Sequence, residues 1–381
     1  MKEVIIVKYA ELWLKSEPVR RRFISVLMSN IKQMLHECGV KNFGVVPARD
    51  MILIETKEKK KVIEILKNVF GISWLATAFE TGSNFEAIED AVLEVARTIP
   101  ENKTFAIRAS RSDKQLPYKS RDIEVKIGEK INRSVNLSDP DFTIYVEAKT
   151  RHAYVYTEKI EGPGGLPYRT TGKVLVLISG GIDSPVASWL MMRRGCEVEF
   201  AHFHPEVFAA KDNLEGIKNI VKRLSEYAPG ALHLHIIPYS EIQSSIARNC
   251  ERKATCILCR RIMYKIAEKL AKTMNAEAIV TGENLAQVAS QTMDNLFVEA
   301  HALTMPVFRP LICFNKDETI KLAKKIGTYR LSVEASACCL LTPKRPMTSA
   351  KLEFIKREEK KIKNLDKLIE NALKRRQEVI L

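Results

Sequence analysis

The chain has 381 residues, 46% of them apolar and 28% charged, which excludes a disordered or collagen-like polymer. At roughly 100–200 residues per domain there is room for two to four domains. Lysine and arginine number 61 against 46 acids, a net charge of +15 that suits a polyanion such as nucleic acid and equally suits a plain lysine-rich surface.

Residues 1–80 read strand, helix, strand, strand, helix, strand. Val4 to Val7 is the first strand, and 19–38 is a helix carrying Phe23, Val26, Leu27, Ile31, Met34 and Leu35 at helical spacing. A strand pair flanks Arg49-Asp50, a second helix covers 58–69, and Ile72 to Phe79 closes the ferredoxin-like split βαβ order. Residues 81–160 repeat this grammar more loosely: a helix at 85–98, a strand with Phe105 and Ile107, a helix at 121–134, and strands at 142–148 and 153–157. Basic residues crowd the first strand–helix connection here: Arg108, Arg111, Lys114, Lys119 and Arg121. With Arg20 and Arg21 they form the candidate RNA surface, although each taken alone reads better as a solvated charge.

Glycine and proline cluster in Gly162-Pro163-Gly164-Gly165-Leu166-Pro167, which marks a linker. From Lys173 the chain alternates strands (174–178, 197–204, 232–238, 277–281, 306–312) with helices, the pattern of a parallel sheet covered on both faces. The end, 349–381, reads as one charged amphipathic helix with Leu352, Ile355, Ile362, Leu365, Leu368, Ile369 and Leu373 on one side. No apolar run approaches the ~20 residues of a membrane span. Nor does the start carry a secretory core, so we expect a cytoplasmic chain without a membrane partner.

The strongest signal follows the strand at 174–178: Ser179-Gly180-Gly181-Ile182-Asp183-Ser184-Pro185. A strand that turns through serines and glycines into a helix aims backbone N–H groups and a positive helix end at one spot, which suits phosphate. Ser184 is expected as the N-cap and Pro185 as the first helical residue. Gly172-Lys173 is followed by valine, not Ser or Thr, so a Walker A loop is excluded. Lys316 is a second signal. Asn315 and Glu318 read as a capping box, in which a lysine at the first helical position opposes the helix dipole and suggests an anionic partner.

Eight cysteines are present. Cys38, Cys196, Cys250 and Cys313 read as apolar fillers; Cys256 and Cys259 form a C-x-x-C expected between two helices, and Cys338-Cys339 are adjacent. Basic neighbours such as Arg252, Lys253, Arg260 and Arg261 are expected to lower the C-x-x-C thiol pKa values. Inert thiols, zinc, an iron–sulfur cluster and a redox pair all fit this motif.

The S-G-G-x-D-S string resembles the PP-loop ATP pyrophosphatases. Together with Gly162-Pro163-Gly164-Gly165-Leu166-Pro167, Gly172-Lys173-Val174-Leu175-Val176-Leu177 and the 280–292 stretch Val280-Thr281-Gly282-Glu283-Asn284-Leu285-Ala286-Gln287-Val288-Ala289-Ser290-Gln291-Thr292, it resembles the tRNA 4-thiouridine synthetase (ThiI) family over nearly the whole chain. The resemblance implies an α/β and α+β multidomain architecture. Its pieces would be a ferredoxin-like domain (1–56), a THUMP RNA-binding domain (57–160), a linker (161–172), a PP-loop domain with a parallel sheet of the adenine nucleotide alpha hydrolase type (173–348) and a C-terminal helix (349–381). It implies ATP contacts at Leu177, Ile178, Ser179, Gly180, Gly181, Asp183, Ser184, His202, Phe203, Arg260, Gly282 and Gln291. Asp183 would handle Mg²⁺ or move a proton, and Lys316 would support substrate activation. No rhodanese-type segment follows Cys339 in this sequence, so sulfur delivery is expected as in rhodanese-lacking members. There Cys256, Cys259 and Cys339 would hold a [4Fe-4S] or [3Fe-4S] cluster, or Cys339 or Cys338 would carry a persulfide.

The implied reaction is ATP-dependent replacement of the C4 oxygen of uridine 8 in tRNA by sulfur. The donor would be sulfide or a persulfide carrier of the cysteine desulfurase type. The resemblance also implies sulfur supply to the thiamine thiazole. The tail helix at 349–381 suits packing on its own domain or on a second subunit, which leaves a homodimer open. Two rival readings stay open: a tRNA-binding protein whose nucleotide site is not catalytic, and a PP-loop ligase acting on a small substrate.

Overall fold

The computed structural model describes residues 1–208, 213–335 and 339–381. These fall into two compact units, Met1–Gly165 and Leu166–Leu381.

In the first unit the strands are β1 (Lys2–Tyr9), β2 (Phe43–Ala48), β3 (Met51–Thr56), β4 (Ile72–Gly82), β5 (Phe105–Arg111), β6 (Phe142–Ala148), β7 (His152–Tyr156) and β8 (Ile160–Glu161). The helices are α1 (Glu17–Glu37), α2 (Lys59–Leu66), α3 (Phe85–Ala96) and the short α4 (Ser120–Asp122), which runs on into a π turn at Ile123–Ile127. The expected helix over 121–134 is thus far shorter. The two N-terminal segments are also not separate sheets. One sheet runs β2-β3-β1-β4-β7-β6-β5, because β4 pairs with β1 along most of its length and with β7 at its end. Its eleven residues serve both segments. On one side Leu27, Ile31 and Leu35 of α1 pack with Ile5, Val7 and Ile54; α3 covers Ile144, Val146 and Val155 in a second core.

The second unit carries β9 (Lys173–Leu177), α5 (Asp183–Arg193), β10 (Glu197–His204), α6 (Leu214–Ser225), β11 (His233–Pro238), α7 (Ser240–Asn249) and α8 (Thr255–Thr273). Then come β12 (Ala278–Val280), α9 (Met293–Ala300), β13 (Val307–Phe308), α10 (Lys316–Ile326), α11 (Tyr329–Ala335), α12 (Leu352–Lys360), α13 (Leu365–Lys374) and β14 (Gln377–Ile380). The sheet order is β13-β12-β9-β10-β11-β14, parallel except for β14. The order therefore reverses between β9 and β12. That is the switch point at which an open α/β sheet leaves a crevice beyond its strand ends.

The tail departs from expectation. It is not one helix over 349–381 but two helices and a strand. Asn364, in the left-handed region at φ 56, breaks the helical run. Ile355, Ile362 and Ile369 still face the core, so the apolar periodicity was real but belonged to two shorter pieces. The last residues pair antiparallel to β11, with Val379 opposite Leu234, and cover what would be an open sheet edge. Two of the supposed filler cysteines, Cys38 and Cys313, are exposed, whereas Cys196 is buried and Cys250 half-buried.

Candidate active site

The loop after β9 and the end of β12 meet at the switch point. Gly282 permits this: a Cβ there would stand 2.6 Å from the Ser184 backbone nitrogen. Gly180 is needed for a different reason from the one expected. Its Cβ would run into the Ala335 carbonyl oxygen, so its smallness serves chain packing as well as any anion. Ser184 is not the N-cap, since α5 already begins at Asp183. Its hydroxyl instead closes the loop on itself, accepting from the Ser179 N–H at 2.9 Å and lying 3.1 Å from the Ser179 hydroxyl.

Two cavities open here and share Ser179, Gly181, Arg260 and Met263. The smaller, of about 250 Å³, adds Leu177, Asp183, Ser184, Gly282 and Gln291. The larger, of about 450 Å³, adds Gly180, His202 and Phe203. Nearly every expected ATP contact is thus brought together. Ile178 is the exception: it lines neither cavity, and its backbone bonds the Ala201 carbonyl and the His202 ring. That bond fixes the His202 imidazole, with Nδ1 3.1 Å from the Ile178 oxygen. The buried Gln291 Oε1 accepts no hydrogen bond from a described residue.

The capping box at α10 is present, with the Asn315 N–H donating to Glu318 Oε2 at 2.7 Å. It sets the start of α10 so that Lys316 reaches across to the loop. Lys316 Nζ lies 2.7 Å from Asp183 Oδ1, and Gln287 Nε2 donates to Asp183 Oδ2 at 2.9 Å. The anion foreseen for Lys316 is therefore Asp183 in this state. Both carboxylate oxygens are engaged by protein, an arrangement that fits orientation of the lysine better than a metal on Asp183. In the sequence the only signal for Gln287 is its position inside the stretch that begins at Val280.

Cys256, Cys259 and Cys339 all line the larger cavity, beside Ser179 to Gly181. Cys256 and Cys259 lie within the first two turns of α8, not between helices as expected. Gln243 Nε2 is 3.8 Å from the Cys339 sulfur. Cys338 lies outside the described residues. The expected lowering of the thiol pKa values is not found: burial pushes both Cys256 and Cys259 up, and Arg260 offsets this only partly. Among the described residues, no group of three or more His, Cys, Asp or Glu is arranged to hold a metal ion.

Arg260 is half-buried rather than a plain surface charge. Its guanidinium sits between two carboxylates, 3.5 Å from Glu299 Oε1 and 3.7 Å from Glu283 Oε1, and its other nitrogen donates to the Ser290 hydroxyl at 3.3 Å. Glu283 accepts from Tyr264 and Arg309, both at 2.7 Å. Burial alone would raise the Glu283 carboxyl, but Arg260 and Arg309 outweigh it and hold it below its ordinary range. Burial drives Glu299 the other way, to about 9, with Arg260 offsetting in part and Glu283 adding to the rise.

Three family models cover this chain: the thiamine biosynthesis protein (ThiI) model over residues 169–364, the ThiI ferredoxin-like domain over 4–76 and the THUMP domain over 82–158. A probable tRNA sulfurtransferase of Caldanaerobacter subterraneus subsp. tengcongensis is 40% identical, covering 97% of this chain and 98% of that one. The chain belongs to the ThiI family. A second family member, a probable tRNA sulfurtransferase of Methanocaldococcus jannaschii, is 37% identical over 94% of this chain and 97% of its own. A solved ThiI-like structure, a 4-thiouridine synthetase in complex with RNA and bound ATP, superposes with a TM-score of 0.89 at 32% identity, covering 100% of both chains.

Of the expected RNA residues in this family member, Arg108, Lys114, Lys119 and Arg121 are exposed along the β5–α4 connection. Arg111 is half-buried and braces its own loop, donating to the Leu116 and Tyr118 carbonyls. Arg20 is half-buried, and Arg21 pairs with Glu17 one turn earlier on α1. Among the described residues no helix is long and apolar enough to cross a membrane.

Proposed function

We propose that this chain is an ATP-dependent tRNA sulfurtransferase that converts uridine 8 to 4-thiouridine. One observation carries the reading: a single cavity is lined both by the phosphate loop and by Cys256, Cys259 and Cys339. A nucleotide-activating loop and a set of thiols have little reason to share a wall unless activation and sulfur transfer happen at the same atom.

ATP enters with Mg²⁺ as its own counter-ion and lays its phosphates on the 179–184 loop at the positive end of α5. His202 and Phe203 take the adenine side, with Leu177, Gly282 and Gln291 along the nucleotide. The uridine C4 oxygen attacks the α-phosphorus, and pyrophosphate leaves. Sulfur then attacks C4, and AMP departs with the former uridine oxygen. Lys316, held at the loop by Asp183, supplies positive charge where charge builds up on the phosphates. The RNA is held by the basic residues of the β5–α4 connection and the start of α1.

Sulfur handling falls to the thiols. Three thiolates are a donor set suited to an iron–sulfur cluster with one open iron, which would supply a docking point for sulfide. As they stand the three are not drawn into a metal-holding group, so this reading requires them to converge as the cluster forms. Cys339, exposed and on the cavity wall, is equally placed to take the outer sulfur of a persulfide carrier, releasing the carrier's thiol. Once that sulfur has attacked C4, a second thiol on the same wall, Cys256 or Cys259, frees it by closing a disulfide with Cys339, which an external dithiol reduces for the next turnover.

The test is sulfur incorporation into unmodified tRNA. Protein prepared without air is given Mg-ATP, sulfide and tRNA, and the digested RNA is searched for 4-thiouridine by mass spectrometry. Product is expected from the parent protein and not from Asp183→Ala or Cys339→Ala. Bound tRNA without product or pyrophosphate release would favour a non-catalytic nucleotide site. Failure to bind tRNA at moderate salt would favour a ligase for a small substrate.

A further inference from the structure

Arg260 lines both cavities, and beside Lys316 it is a second cation within reach of the proposed phosphate site. A guanidinium flanked by two carboxylates presents a difficulty. If both carboxylates were charged, they would claim it and leave nothing for a nucleotide. The surroundings resolve this asymmetrically. Glu283 is fully employed as an anion, since Tyr264, Thr281 and Arg309 all donate to its Oε2. Glu299 is entirely buried on α9, and neither of its oxygens accepts a hydrogen bond from a described residue. A charged carboxylate held only by that one 3.5 Å contact with Arg260 would be costly, whereas a protonated one can turn its O–H to the Glu283 carboxylate and keep its carbonyl oxygen toward Arg260.

The backbone around this pair is tied down by hydrogen bonds from buried side chains. Asn295, one turn before Glu299, is fully buried and ties α9 to the Ser290 and Met347 carbonyls at 3.1 and 2.8 Å. Arg261, the next residue after Arg260, donates to the Val298 carbonyl at 2.7 Å. The helices bearing Arg260 and Glu299 are therefore locked together, and the 3.5 Å separation of the two side chains follows from that lock.

From this geometry we infer that Glu299 is a positioning residue, which fixes the Arg260 guanidinium at the wall shared by the two cavities so that it meets the nucleotide phosphates. The inference rests on the proposed nucleotide site. Glu299 touches neither cavity, so it acts only through Arg260. With Glu299 in its acid form, the Arg260, Arg309 and Glu283 charges leave one positive charge over, and that charge is available to the phosphates.

The test is a double-mutant cycle on ATP binding, measured by equilibrium dialysis without tRNA or sulfide. Arg260→Ala is expected to weaken ATP binding about tenfold, the effect of losing one charge-assisted contact. Glu299→Ala is expected to weaken it by several-fold, and Glu299→Gln, which keeps the shape and a donor, to restore most of it. In the Arg260→Ala background, Glu299→Ala is expected to add nothing. A merely structural role would make the two effects add. Thermal unfolding of each variant separates a folding failure from a binding one, and the Gln variant keeps the question answerable if the Ala variant is unstable. Additive effects, a Gln variant as weak as the Ala variant, or an Arg260→Ala protein with unchanged ATP affinity would each overturn the inference. A parent protein that binds no ATP would overturn the nucleotide reading itself, and this inference with it.

Discussion

Lys316 Nζ sits 2.7 Å from Asp183 Oδ1, across 133 residues of sequence. The lysine comes from the first turn of α10 and the carboxylate from the first turn of α5, so two helix starts point their charged residues at one place. Each helix start is positive by its own dipole. Asp183 suits that field and Lys316 opposes it, which leaves the lysine reliant on Asp183.

Removing the lysine should therefore spare binding more than chemistry. Lys316→Ala is expected to lower the turnover of tRNA thiolation about a hundredfold, the scale of losing one preorganised charge stabiliser. ATP affinity should change only a few-fold, because the loop N–H groups and Arg260 remain. Rates of pyrophosphate release beside ATP dialysis would check this. Equal losses in both would place Lys316 in ground-state binding instead.

The close approach of β12 to α5 makes Gly282 intolerant of any side chain. A Cβ would press on the Ser184 nitrogen at 2.6 Å, and both partners are backbone. Gly282→Ala is expected to cost roughly 1–3 kcal/mol of stability, as overpacking does. It should also open the loop and weaken ATP binding. Urea denaturation with the slope held constant would measure the first effect, and an unchanged midpoint would show that the strand end can move aside.

Glu199 offers a pH test away from the active site. It joins three neighbouring strands, with Lys173 on β9 at 2.7 Å and His235 on β11 at 2.9 Å. The His235 hydrogen bond is the largest influence; it and Lys173 together outweigh burial and lower the carboxyl from 4.5 to about 2. A depressed carboxylate contributes stability that is present above its unfolded pKa and lost as pH falls through the folded one. Glu199→Gln is thus expected to be less stable than the parent at pH 7, and the gap should close between about pH 4.5 and 2. Denaturant midpoints at pH 7 and pH 3 would reveal it. A gap of constant size would mean that packing, not charge, is responsible.

Much of the site was legible because its signals are local. The S-G-G-I-D-S string and the Asn315–Glu318 box are short patterns whose backbone geometry follows from the residues themselves, whereas Gly282 is marked only by the family resemblance. Gln287, Glu283 and Glu299 were not legible. Their importance lies in what they face, and a glutamine or glutamate looks the same in sequence whether solvated or buried. The same holds for the cysteines. Basic neighbours in sequence suggested easily ionised thiols, but burial of Cys256 and Cys259 dominates and raises them.

The sequence by itself determined most of the element order, the parallel α/β half, the strand-to-helix loop at 179–184 and the family. These rest on periodicity and on motifs that act within a few residues. Tertiary structure alone decided that β4 fuses the two N-terminal segments into one sheet, that the tail ends as β14, and that Arg260 is caged between Glu283 and Glu299. Each of these depends on pairing or burial between residues far apart in the chain. Local preference carries no record of such encounters, because a strand edge, a charge or a thiol acquires its energy only from the neighbours that folding brings to it.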